Sequence, residues 1–136
     1  MKKGGVMANQ APRDIQERTF EFGIRIVKLV DRLPRTLSAT EIGRQVLRSG
    51  ASIGANMEEA KGAESKRDFI HKTSTAYKEA RETYYWLGVI DAAILINDKE
   101  VLALRQECDE IIRILHAILR TSRANLRQAK PSRSRR

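Results

Sequence analysis

The residues of this chain with the most chemical potential are two histidines, one cysteine and a scatter of carboxylates. Asp68-Phe-Ile-His71 has the acid-x-x-His spacing that puts both side chains on one helical face, as half of a di-metal carboxylate site requires. The other half is missing, because His116 has Arg113 three residues before it. Asp68 and His71 therefore read as a helix cap and a surface histidine, and no metal is expected. Cys108 has no Cys-x-x-Cys partner and lies in an apolar stripe, so it reads as a small core hydrophobe. No glycine-rich loop follows a strand, and no serine pairs with a histidine and an acid in a recognisable spacing. No catalytic residue and no cofactor is expected.

The chemistry that residue types do support is anion binding. Arg113, His116, Arg120, Arg123, Arg127 and Lys130 share one stripe at helical spacing, and Arg133, Arg135 and Arg136 follow. Residues 120–136 hold seven basic residues and no acid, whereas residues 14–119 hold 16 basic against 17 acidic ones. The net charge of +9 is therefore carried by the ends of a near-neutral body, with Lys2, Lys3 and Arg13 at the start. An uncompensated cationic run of this kind fits a polyphosphate backbone. It has no aromatic residue, so base stacking is excluded there and weak sequence preference is expected.

The elements that must position these residues are helical. A chain of 136 residues suits one domain with a core of its own. Hydrophobic content of 41% with 32% charged residues is that of a globular chain, and no apolar run approaches membrane-spanning length. The first residues are basic with no apolar run behind them, so no secretory signal is expected. One cysteine forms no intrachain disulfide, which points to a reducing, cytoplasmic setting. Pro12, Pro34 and Pro131 are the only prolines, and no segment alternates at strand period. Four helices are predicted, over about 14–33, 40–61 with Ser38 or Thr40 as cap, 65–96 with Ser65 as cap, and 98–128 with Asp98 as cap. Short connections make sequential helices antiparallel, giving an all-α, up-and-down four-helix bundle over 14–128. Residues 1–13 are expected to be a basic flexible segment and 129–136 a basic disordered tail.

The faces carry further expectations. Ile15, Phe22, Ile26, Leu29, Val30 and Leu33 trace a core stripe on the first helix, and Phe20, Ile24 and Val27 point elsewhere, as a subunit interface would. Gly43, Gly50 and Gly54 lie inside the second helix at a cost of about 1 kcal/mol each relative to Ala, which close approach of a neighbouring helix would offset. On the third helix, Phe69, Thr73, Ala76, Ala80, Thr83, Leu87, Ile90 and Ile94 form the core line. Tyr85 and Trp86 leave it, as interface aromatics do. On the fourth, Val101, Leu104, Cys108, Ile111, Leu115 and Ile118 are buried. Ser49, Ser52, Asn56 and Glu59 form a polar ridge on the second helix. A buried serine or asparagine there is expected to pair with a carboxylate of the neighbouring helix and fix register.

The run from Gln45 to Ala60, QVLRSGASIGANMEEA, resembles the signature of the bacterial four-helix bundle family also called the 23S rRNA intervening sequence proteins. The likeness continues through Asp68-Phe69, Ala76, Glu79, Glu82-Thr83 and Trp86-Leu87, spans roughly residues 14–120, and leaves the basic tail outside it. The resemblance implies antiparallel bundles that assemble as cyclic homopentamers, with no enzymatic activity. Some members are encoded within segments inserted into 23S rRNA genes. A related protein, the accessory variability determinant of diversity-generating retroelements, forms a similar barrel and engages nucleic acid. The motif residues fall on Gln45, Arg48, Ser49, Ser52, Asn56 and Glu59, with Glu82 on the next helix, and the family gives none of them a catalytic role.

Together these readings lead to a non-enzymatic homo-oligomer that binds RNA or DNA backbone through its basic end. Arg44 and Arg48 are further candidates, lining the surface of a ring. The alternative is an adaptor for a protein partner such as a reverse transcriptase or ribosomal component, the tail then serving solubility alone.

Overall fold

A computed structural model describes residues 14–129, and over them the chain forms four α-helices and no strand. They are α1 (Ile15–Arg32), α2 (Leu37–Lys61), α3 (Lys66–Ala92) and α4 (Glu100–Ala129). Contacts join α1 to α2, α2 to α3, α3 to α4 and α4 back to α1, with none across the diagonals, so the helices occupy the corners of a square in up-and-down order. None of them is long and apolar enough to cross a membrane.

Local chemistry sets the helix starts. Asp14 accepts from the Glu17 N–H and Ser65 from the Asp68 N–H, each satisfying a donor of the open first turn. The α2 cap is Thr36, which accepts from the Ala39 N–H at 3.2 Å, and not Ser38 or Thr40. The helix thus starts at Leu37, about three residues nearer Pro34 than its composition suggests. Asp98 accepts from the Glu100 N–H at 2.9 Å at the head of α4.

Two ends differ from expectation. Instead of reaching Ile96, α3 stops at Ala92, where Leu95 N–H bonds Ile90 O and Ile94 N–H bonds Asp91 O. That pair of bonds is a Schellman closure, and its left-handed position is held by Ile94 at φ 52° instead of the usual glycine. Ile94 is thereby turned out of the core line and is 73% exposed. On α4, Leu119 is buried and Ile118 only half-buried, so the core stripe drifts by one residue in its last turn.

The core packs Phe22, Ile26 and Leu29 of α1 against Val46, Ile53 and Met57 of α2, Leu87 and Ile90 of α3, and Leu104, Cys108, Ile111 and Leu115 of α4. The α1–α2 contact is close. A β-carbon on Gly54 would lie 3.0 Å from the Thr19 carbonyl oxygen, and one on Gly50 would lie 2.9 Å from Ile26 Cγ1. The glycines inside α2 thus accommodate α1 at a distance that larger side chains would prevent.

Candidate functional site

The arginine end of the bundle arises from a mismatch in helix length. Arg18, in the first turn of α1, bonds Glu107 at 2.7 Å and Glu110 at 2.8 Å, which fixes where α1 begins against α4. α4 then runs on for 19 residues, roughly 28 Å at 1.5 Å per residue. Leu115 and Leu119 keep its inner side buried, and Arg120, Arg123 and Arg127 stand exposed. None of the three has a carboxylate partner among the described residues. By contrast Arg18, Arg25 and Arg32 of α1 each hold an acid of α4 or its cap, at 2.7–2.8 Å. Arg113 bonds Asp109 at 3.0 Å, and the His116 ring lies 5.9 Å from that of Tyr77 on α3. Lys130, Arg133, Arg135 and Arg136 lie outside the described residues, as do Lys2 and Lys3.

Arg123 borders two hollows. One, of about 300 Å³, is shared with Arg67, Ile70, His71 and Ser74 of α3 and with Leu126. The other, of about 500 Å³, runs along α4 between Arg120 and Arg127 and includes Thr121. The α3 contribution is not visible in sequence, because Arg67 and Arg123 are 56 residues apart and only antiparallel packing brings them to one groove.

Arg48 and Arg44 do not join this surface. Arg48 reaches across to α3 and bonds both Glu79 and Glu82, and the Trp86 indole N–H donates to Glu82 at 2.9 Å. The bond from Arg48 comes first and that from Trp86 second in holding the Glu82 carboxyl below its ordinary value. Arg48 is therefore an interhelical clamp whose charge is already neutralised. Arg44 is exposed at the opposite end of the bundle, in a hollow with Asp31 and Arg35.

The polar ridge of α2 also departs from expectation. Ser49 is fully buried, and its partner is the Thr83 hydroxyl at 2.8 Å, not a carboxylate. Thr83 lies 2.8 Å from the Glu79 carbonyl as well, and its single proton serves one acceptor at a time. Ser49 is thus the donor between the helices whenever Thr83 bonds back to Glu79. Ser52 donates to Arg48 O and Asn56 to Ser52 O, both within α2, and Glu59 pairs with Lys72 of α3 at 2.7 Å. Gln45 is exposed. Sequence missed the clamp because Glu79 and Glu82 have Lys78 and Arg81 as chain neighbours, yet their partner is on another helix.

Of the candidate interface residues, Phe20 is 67% exposed and Tyr85 60%, and Ile24 and Val27 are also exposed. Trp86 is not: it is half-buried against the core and tied to Glu82, with its ring edge-on to Tyr85 at 4.9 Å. Cys108 is buried, donates to Ala80 O at 3.2 Å, and has its thiol pushed up to about 12, chiefly by burial. Among the described residues no three His, Cys, Asp or Glu side chains converge as metal ligands.

Comparison with known proteins matches residues 13–117 to the 23S rRNA-intervening sequence protein family. A crystal structure of a protein of unknown function from Bacteroides thetaiotaomicron, described as of the S23 ribosomal protein family, is 37% identical. It aligns over 78% of this chain and 98% of its own, with a TM-score of 0.73. No curated protein matches. The chain belongs to the 23S rRNA-intervening sequence protein family.

Proposed function

We propose that this family member is a non-enzymatic, homo-oligomeric bundle that binds the backbone of RNA or DNA through the arginine end of α4 and the basic residues after it. One observation carries the reading: Arg120, Arg123 and Arg127 stand exposed on a helix that has outrun α1, without carboxylate partners among the described residues. Elsewhere acids neutralise Arg18, Arg25, Arg32, Arg48 and Arg113. An unopposed cationic edge attracts phosphates by counterion release, which is independent of base sequence.

Self-association has its own support. Phe20, Ile24 and Val27 lie on the α1 surface, where α1 passes closest to Gly54 and Ala51 of α2, and Leu47 is exposed on that helix too. Tyr85 and Leu102 are exposed on α3 and α4, across the square. Exposed apolar side chains on opposite sides of the square suit a head-to-tail contact, which closes into a ring when the rotation permits. A pentamer of the 15.5 kDa chain has a mass of about 78 kDa, and light scattering that returns a monomer overturns this part.

Binding is tested by fluorescence anisotropy with a generic RNA 20-mer and a duplex DNA across salt, using the full chain and a chain lacking residues 120–136. Affinity that falls steeply with salt and is lost on truncation is expected. A flat salt response, or unchanged affinity after truncation, overturns the reading and favours the protein-adaptor alternative.

A further inference from the structure

We propose that the phosphate-binding surface is a seam between two helices, with Arg67 and His71 of α3 facing the same strand as Arg120, Arg123 and Arg127 of α4. This rests on the nucleic-acid reading above and assigns it residues that the α4 stripe does not contain. Arg123 is the central member, because it borders both the α3–α4 groove and the hollow along α4. Arg67 and His71 are four residues apart on α3 and so project from one face, the face turned to Arg123. Ser74 completes the groove with a hydroxyl, a group that often bonds phosphate oxygens.

Charge isolates the seam. Arg67 and Arg123 have no acidic partner among the described residues, and the neighbouring Lys72 is already paired with Glu59 at 2.7 Å. Ile70 and Leu126 line the same groove, with apolar surface beside the two arginines. From Arg120 to Arg127 the seam is roughly 10 Å long at 1.5 Å per residue, a span that a few consecutive phosphates of one strand can occupy. The ligand assigned to the groove is a single phosphodiester strand held by backbone charge, and a duplex of equal length that binds as tightly overturns that choice.

The experiment is anisotropy with labelled oligo(U) RNA and full-length protein over a salt series, comparing Arg67→Gln, Arg67→Lys and Lys28→Gln. Lys28 is an exposed cation of α1, remote from the seam, and controls for loss of one charge. Arg67→Gln is expected to weaken binding about three- to ten-fold and to reduce the salt slope by about 1, as loss of one phosphate contact does. Arg67→Lys is expected to retain the slope, and Lys28→Gln to leave both unchanged. Circular dichroism melts establish that each variant is folded. If Arg67→Gln matches Lys28→Gln while truncation at residue 120 still abolishes binding, the seam is wrong and the α4 reading survives. If the wild-type protein binds no RNA, both fall. A polyglutamate peptide that competes as well as RNA at equal charge overturns the proposal in favour of an acidic protein ligand.

Discussion

Replacing Gly50 by alanine sets two effects of known size against each other. Alanine inside a helix is favoured over glycine by about 1 kcal/mol. The new β-carbon would lie 2.9 Å from Ile26 Cγ1, 3.0 Å from Cγ2 and 3.3 Å from Cβ. Ile26 is fully buried, and a β-branched side chain in a helix has essentially one rotamer, so it has nowhere to go. Overpacking of this kind costs about 1–3 kcal/mol, here toward the upper end, and the net loss is about 1–2 kcal/mol. Gly54→Ala meets the Thr19 carbonyl oxygen at 3.0 Å, which yields only if α1 shifts as a rod, and a net loss of about 1 kcal/mol is expected. Gly23→Ala has nothing nearer than Ala51 Cα at 4.0 Å and keeps the propensity gain. It is expected to stabilise by about 1 kcal/mol, raising Tm by roughly 3–5 °C. Urea titrations at one fixed chain concentration measure all three, which holds the contribution of any self-association constant. Gly50→Ala and Gly54→Ala as stable as Gly23→Ala would refute the close-approach account.

Three more outcomes follow from single groups. Thr73 and Thr83 are both fully buried on α3, but the Thr73 hydroxyl has no partner among the described residues, whereas Thr83 bonds Ser49 and Glu79. Urea titration should therefore show Thr73→Val gaining about 1 kcal/mol and Thr83→Val losing about 1–2 kcal/mol, and equal signs would refute the assignment. Ile94→Gly relieves a β-branched residue at φ 52°, and a gain of about 1 kcal/mol in the same assay is expected. Glu82 has its folded-state value lowered from 4.5, so its contribution is present above that pH and lost as pH falls through the lowered value. Acid unfolding followed by fluorescence of Trp86, the only tryptophan, should have a shallower pH dependence below about 4.5 in Arg48→Met, and an unchanged profile would sink the clamp.

The helices were legible wherever one strand of chain contains both partners of the signal. Ser65 and Asp68 are three residues apart, so the α3 cap is a local fact that the sequence displays. The end of α3 was not, because its stop signal is normally a glycine and this chain has Ile94 there. Periodicity alone continued to Ile96, since Ile94 falls on the core line as long as the helix is assumed to persist. The Schellman bonds of Leu95 and Ile94 break that assumption, and the half-buried Leu95 anchors the turn in Ile94's place. The glycines of α2 were informative for the opposite reason. Their cost has no local compensation, so it implied a close neighbour, although only packing identified α1 as that neighbour.

Charge was legible as composition and misleading as surface. Arg48 and Arg120 are both exposed arginines on helices, yet Arg48 spends its charge on two α3 carboxylates and Arg120 has no such partner among the described residues. Sequence cannot separate them, because the acids that neutralise Arg48 are 31 and 34 residues away. What separates them in the fold is helix length. α1 is 18 residues and α4 is 30, and every acid that α4 offers to α1 precedes Ile111. Past that point α4 has no acid. The uncompensated arginines of α4 therefore lie past its last acid, which is why the proposed polyanion contact is placed on α4 beyond Leu115, with Arg67 across from it on α3.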